Sequence, residues 1–269
     1  MISETVINKY SLIDVAKSVA KVMGIEPPAG AKTEIEALYQ LADGRIAEKA
    51  LIFDPDAVAT WLFQKYPELF IPVQKHTQLT LPMHAVMPSV TPVCFGSIYT
   101  GMMPCDHGIQ KYEKPVLKCD TLFDAMIRAG KKVAIIASAD CSIGRIFLER
   151  DEIDYYISDK ETNALANGLK AIEADKYDLI VVYHGNYDST MHRNGVEHPD
   201  SIAALKLNGE EFDTLVTAAK KVWKGKNALY GWVTDHGAHD TEAGRGTHGT
   251  DQPDDMNITH FWGFEPAEK

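Results

Sequence analysis

The chain has 269 residues, 45% of them hydrophobic, and 38 acidic against 27 basic residues give a formal net charge of −11. That is enough chain for a full core, and the acidic excess without a basic cluster excludes a nucleic-acid polymer as a bulk partner. Apolar runs such as 178–183 fall far short of the roughly 20 residues of a membrane span, and MISETVINKY lacks the basic and apolar regions of a signal peptide. A cytoplasmic protein with no membrane partner is therefore expected. Cys94, Cys105, Cys119 and Cys141 show no C-x-x-C spacing, so they read as free thiols.

In chain order, residues 11–23 carry apolar positions at helical spacing and are stopped by Gly24, Pro27 and Pro28. A second helix is expected over 33–42. KALIF (49–53) reads as a buried strand, followed by Asp54-Pro55-Asp56 and an amphipathic helix over 57–66. Residues 66–90 hold Pro67, Pro72, Pro82 and Pro88 with little periodicity and are expected as a loop crossing the sheet edge. Further strands are expected at 132–138, 178–183 and 228–234, and helices at 120–129, 161–174 and 209–224. Residues 140–160 and 193–208 are expected as small caps on a single domain spanning 1–269. The alternation of strands and helices points to an α/β fold with a largely parallel, buried sheet.

Three apolar strands run straight into acidic residues: Asp54 and Asp56 after the first, Asp188 after the second, Asp235 after the third. In open α/β sheets the ligand crevice lies beyond the carboxyl ends of the strands, where such carboxylates can converge. One aspartate after a strand is more often a turn or helix cap. Three together, two with histidines close by, favour a site. Asp188 and His192 are four apart and share a face if helical; Asp235 and His236 are adjacent in T-D-H-G; His248 lies between glycines in G-T-H-G. Carboxylate with imidazole suits zinc or manganese. His76 and His198 read as a core hydrogen bonder or a solvated side chain, while His184 and His239 flank the candidate site without a clear role.

Thr91-Pro92 has the form of a helix start, with Thr91 expected as N-cap and Pro92 at the first helical position. A hydroxyl there faces free amides and the positive end of the helix dipole, which suits a phosphate. It becomes a competent nucleophile only with a base or a metal ion to favour its alkoxide.

With these residues in place, the chain resembles the alkaline phosphatase superfamily, and within it the nucleotide pyrophosphatase/phosphodiesterase branch. S-V-T-P-V-C-F-G-S-I-Y-T-G-M-M-P-C-D-H-G-I (89–109) is similar to that branch's nucleophile segment, D-S-T-M-H to its D-x-x-x-H element, T-D-H-G to its D-H-G element and G-T-H-G to its last metal histidine. The motifs span roughly residues 50 to 262 in the family order. The resemblance implies a three-layer α/β sandwich and two divalent ions, Zn2+ in first place and Mn2+ as the alternative. Asp188, His192 and His248 would hold one ion; Asp235, His236, the Thr91 oxygen and an aspartate after the first strand would hold the other. Asp56 fits the family pattern of a small and then an apolar residue better than Asp54, which stays open as the alternative.

Two departures stand out. Where the branch's diesterases carry an Asn that contacts a phosphoryl oxygen, this chain has Tyr112. Residues 10–30 are similar to a segment that the family usually carries near its C-terminus, which implies a circularly permuted arrangement with the 11–23 helix beside the strand near 258–264. The implied activity is hydrolysis of a small phosphate ester, a phosphodiester or nucleotide pyrophosphate, through a Thr91 phosphoryl-enzyme. A manganese-dependent phosphomutase or phosphomonoesterase uses the same constellation, and a non-catalytic metal-binding protein is the alternative of another class. A sulfatase is disfavoured, because no C-x-P-x-R motif occurs.

Overall fold

The computed structural model describes residues 9–159 and 163–267; the opening eight residues of the N-terminal segment and positions 161–162 of the expected 161–174 helix lie outside them. The strands are β1 (Tyr10–Ser11), β2 (Lys49–Pro55), β3 (Leu79–His84), β4 (Val133–Ser138), β5 (Ile153–Ser158), β6 (Leu179–His184), β7 (Ala228–Trp232), β8 (His239–Asp240), β9 (Gly246–Thr247) and β10 (Asn257–Glu265). Eight of them form one sheet in the order β1-β3-β10-β7-β2-β6-β4-β5, and β8 and β9 make a separate hairpin. β10 is antiparallel to both of its neighbours, while the β7-β2-β6-β4-β5 run and the β1-β3 pair are parallel. The sheet is mixed but largely parallel, as the alternating sequence pattern requires.

Helices cover both faces, and the alternation of side chains along each central strand divides the core in two. Ala50, Ile52, Val133, Ile135, Leu179 and Val181 join one apolar cluster; Leu51, Phe53, Ala134, Ile136, Ile180 and Val182 join the other. A strand buried on both faces reads as a continuous apolar run, which is why β2 and β6 were visible in the sequence. Among the described residues no helix is long and apolar enough to cross a membrane. All four cysteines are free, as expected.

Three stretches differ from the sequence reading. Residues 66–90 are not a plain loop: they contain β3, which pairs with β1 and β10 inside the main sheet. Its exposed faces and internal Pro82 hid it, since every second residue faces solvent. Residues 199–208, expected within a cap, are the first turns of one helix running Pro199–Val222. Its N-cap is His198, whose side chain accepts from the Asp200 amide, with Pro199 in the first turn. Residues 153–158, expected in the other cap, form β5 at the sheet edge.

The Val15–Val22 helix packs mainly on the helices at Glu36–Ala42, Thr91–Thr100 and Leu122–Arg128, and of these three the Glu36–Ala42 helix packs most on β10. The expected neighbour of the last strand is thus one helix removed. Val15 and Val19 nevertheless share a core cluster with Ile258, Trp262 and Phe264, and β1 reaches β10 through β3.

Candidate metal centre and active site

The carboxyl ends of β2, β6 and β7 bring the three acidic segments together. Asp56, Asp235 and His236 offer ligand atoms that all lie within 4.8 Å of one another, and so do Asp188, His192 and His248. These are the two ligand groups expected from the sequence. Thr91 sits against the first of them, its Oγ1 3.3 Å from His236 Nε2. His236 Nε2 is also 3.2 Å from Asp235 Oδ2 and 3.5 Å from Asp56 Oδ1. In the second group, Asp188 Oδ1 is 3.2 Å from His192 Nε2 and 3.4 Å from His248 Nε2, and the two Nε2 atoms are 3.2 Å apart.

Each of these histidines is oriented from behind. Their Nδ1 atoms donate to backbone carbonyls, His192 to Gly246, His236 to Gly237 and His248 to Ser89, all at 2.9 Å. Fixing Nδ1 as the protonated nitrogen leaves the Nε2 lone pairs aimed inward, the arrangement of metal-ligating imidazoles. Asp188 Oδ1 and Asp235 Oδ2 are buried and accept no hydrogen bond. Carboxylate oxygens without donors, facing imidazole lone pairs at 3.2 Å, require a proton or a cation between them. The donor set fits a divalent ion in each group.

The charge balance agrees. Burial, then the nearby Asp56 carboxylate, pushes the Asp235 carboxyl well above its ordinary range. Burial, then His248, pulls His236 well below the usual imidazole value, keeping it neutral. In the other group, Asp188 raises His192 to about 9. Burial would raise Asp188 itself, but the close approach of His192 and His248 outweighs it and holds the carboxyl below its ordinary value.

Local backbone geometry sets these positions. Ala57 has φ +66°, a left-handed conformation that a non-glycine residue adopts at a cost of about 1–3 kcal/mol. That turn aims the Ala57 amide at Asp235 Oδ1, 3.2 Å away, and so locks the Asp56 segment to the Asp235 segment. Tyr183 donates to Asp56 Oδ2 at 2.6 Å. Gly237 follows His236 because a Cβ there would lie 2.0 Å from the Asp254 carbonyl. Gly246 lets the β8–β9 hairpin reach the Asn186–Asn194 helix, where a Cβ would meet Met191 Sδ at 2.3 Å.

Thr91 is placed slightly differently from the sequence reading. The helix is Thr91–Thr100 with Val90 as N-cap, so Thr91 is its first residue rather than its cap. The extended Val90 backbone already turns the chain into the helix, and no side chain caps it. The Thr91 hydroxyl is therefore free of capping duty and turns to His236. Every residue of this helix is buried, which fixes the hydroxyl on a rigid element.

Asp54 is buried beside the cluster but outside it: it accepts from the Tyr99 hydroxyl at 2.6 Å, and burial pushes its carboxyl well up. Of the two candidates the structure brings Asp56 to the ligand group. His76 is a core hydrogen bonder, 2.6 Å from Asp213, as expected. His184 is buried 3.1 Å from Glu211, and His239 Nδ1 donates to Asp255 Oδ1 at 2.7 Å, so neither joins a ligand group. Tyr112 is 62% exposed and lines a cavity of about 650 Å3 together with Thr91, Asp56 and Asp188. The same cavity is lined by Lys114, Tyr183, Asn186 and Arg193, none of which the sequence reading singled out. Arg193 directly follows His192, a signal that was available; Lys114 and Tyr183 had none at the sequence level.

A mixed α/β architecture with a large, mostly parallel central sheet is the alkaline-phosphatase-like fold. No protein-family model and no curated protein matches the sequence. Solved structures do, through the fold. Phosphonoacetate hydrolase from Sinorhizobium meliloti 1021 in complex with phosphonoformate matches with a TM-score of 0.52 at 16% identity, over 71% of this chain and 57% of that one. Murine ectonucleotide pyrophosphatase/phosphodiesterase 5 matches with a TM-score of 0.55 at 18% identity, over 72% of this chain and 59% of that one. An inactive form of the murine protein in complex with AMP gives 0.55 at 17%, over 73% and 59%. Both are nucleotide pyrophosphatase/phosphodiesterase-like members of the alkaline phosphatase superfamily, and this chain shares their fold. It spans less than three-fifths of their length.

Proposed function

We propose that the protein is a metal-dependent hydrolase of small phosphate esters that works through a phosphoryl group carried on Thr91. The observation that carries this reading is the placement of the Thr91 hydroxyl 3.3 Å from His236 Nε2, on a rigid helix start beside two Asp/His groups. Asp56, Asp235 and His236 would hold one divalent ion and Asp188, His192 and His248 the other. Bound there, the ions supply Lewis acidity to the phosphoryl oxygens and favour the ionised forms of the attacking and leaving oxygens.

The chain's own residues account for the rest. Thr91 Oγ1 forms a bond to phosphorus as the ester oxygen leaves on the opposite side, and water then cleaves the Thr91–phosphorus bond in line. The uncapped helix start beneath Thr91 stabilises the phosphoryl oxygens with backbone dipoles. The Nδ1 anchors on Gly246, Gly237 and Ser89 keep the three imidazoles from reorienting during turnover. Zn2+ is the ion we favour, and phosphodiesters or nucleotide pyrophosphates the substrates.

The test is elemental analysis of purified protein with turnover of bis-4-nitrophenyl phosphate. Two divalent ions per chain and activity lost on chelation, restored by Zn2+ or Mn2+, are expected. Full turnover by metal-free protein would overturn the proposal. Turnover of 4-nitrophenyl phosphate far above that of the diester would overturn the diester assignment alone.

A further inference from the structure

We infer that Asp255 is a positioning residue for the two ligand groups: its side chain fixes the carbonyls that orient His192 and His248, and its main chain the carbonyl that orients His236. The inference rests on the bimetal reading of the site and goes one layer behind the ligands. Asp255 lies in the short helix Pro253–Met256 that leads into β10, and it is fully buried. It belongs to neither ligand group, and three arms lead from it to them.

The first arm ends at His248. Asp255 Oδ2 accepts the Thr250 amide at 2.9 Å and the Thr250 hydroxyl at 2.7 Å. The Thr250 carbonyl accepts from Ser89 Oγ at 2.9 Å, and the Ser89 carbonyl is the acceptor of His248 Nδ1. The second arm ends at His192. Asp255 Oδ1 accepts from His239 Nδ1 at 2.7 Å. His239 pairs with Thr247 in the β8–β9 hairpin, and the Gly246 carbonyl of that hairpin is the acceptor of His192 Nδ1. The third arm uses backbone alone: the Asp255 carbonyl accepts the Gly237 amide at 2.8 Å, and the Gly237 carbonyl is the acceptor of His236 Nδ1.

Three donors thus converge on one carboxylate from two directions. An ionised carboxylate accepts on both oxygens, whereas an amide in its place turns an N–H toward one of the donors. Among the described residues Asp255 is ion-paired with His239 and with no Lys or Arg. A fully buried carboxylate without such a partner is costly to keep, and the convergent, charge-assisted hydrogen bonds offset that cost. Both side-chain arms end at the Asp188, His192 and His248 group, while the main-chain arm ends at His236. Changing the Asp255 side chain should therefore weaken one ion and spare the other.

The experiment measures binding of Co2+, which takes the same ligand types as Zn2+, by chelator competition on the full chain. It compares wild type with Asp255→Ala, Asp255→Asn and Ser89→Ala, with urea unfolding of each metal-free protein alongside. In Asp255→Ala one ion should bind about 10–100-fold more weakly and the other within about threefold of wild type. Asp255→Asn should lose less at that same ion. Ser89→Ala, which cuts the His248 arm alone, should weaken it too. A second readout needs no metal. Nitrogen NMR of the metal-free chain at about pH 10, where His192 is neutral, should show Nδ1–H at His192 and His248 in wild type and mixed tautomers in Asp255→Ala. Wild-type affinity for both ions in Asp255→Ala would overturn the inference. So would equal weakening of both alongside lower metal-free stability, the mark of a loosened fold. If Asp255→Ala does not fold, Asp255→Asn and Ser89→Ala decide by the same criterion. A wild type that binds no Co2+ would sink the bimetal reading, and the tautomers would then decide this inference: a mixture sustains it and a fixed Nδ1–H overturns it.

Discussion

Replacing Asp235 by Asn should change stability in opposite directions with and without metal. In the metal-free chain Asp235 is fully buried, accepts the Ala57 and His236 amides through Oδ1 at 3.2 and 2.9 Å, and has no donor on Oδ2. Asn keeps the two amide bonds on its own oxygen. Its Nδ2 can take the place of Oδ2, 3.2 Å from the His236 Nε2 lone pair, and donate to it. The substitution therefore removes a buried carboxylate facing other acids and adds a hydrogen bond. We expect metal-free Asp235→Asn to be more stable than metal-free wild type by about 1–3 kcal/mol at pH 8, a rise of about 2–4 °C in Tm per kcal/mol. The sign follows from linkage. A carboxyl whose folded pKa is raised contributes its stability below the unfolded value and loses it as pH rises through the folded one, so the gap should close as pH is lowered. Metal should invert the order: an ion at a thousandfold its Kd stabilises the wild type by about 4 kcal/mol, and the variant far less. Differential scanning calorimetry of both proteins, chelated and Zn2+-loaded, reads all four states. A metal-free variant less stable than metal-free wild type, or an equal metal-induced rise in both, would refute the reasoning.

Thr91→Ala should remove nearly all turnover with metal content close to wild type, because the carboxylate and imidazole ligands remain, and Thr91→Ser should keep part of the activity; a fully active Thr91→Ala protein would contradict the nucleophile assignment. His192, raised to about 9 by Asp188, must release a proton before it can ligate. Metal affinity in chelator competition should therefore climb with pH by about tenfold per unit up to about pH 9, and a flat profile from pH 6 to 9 would count against it as a ligand. In the same metal-free protein the raised His192 contributes stability below its unfolded value that fades as pH passes about 9. Gly237→Ala should cost about 1–3 kcal/mol in denaturant unfolding, since its Cβ would meet the Asp254 carbonyl and Ala59 with only backbone and a methyl to give way.

The sequence by itself determined the strands that lie buried on both faces, because KALIF and DLIVVY carry unbroken apolar runs that only a covered parallel sheet accommodates. It also held the local pairs Asp188 with His192 and Asp235 with His236, while the grouping of His248 with the first pair and of Asp56 with the second was implied by the family resemblance alone. Tertiary structure decided the rest. β3 has alternating exposure and an internal proline, and its pairing with β1 and β10 makes it a strand. Asp54 and Asp56 are two apart on the same segment, and a left-handed residue at Ala57 tied to Asp235 sends one carboxylate into the ligand group while the other meets Tyr99. Lys114 and Arg193 are 79 positions apart in the chain. They line one cavity because the loop that holds Lys114 and the Asn186–Asn194 helix meet there, and no local pattern encodes a neighbour that distant.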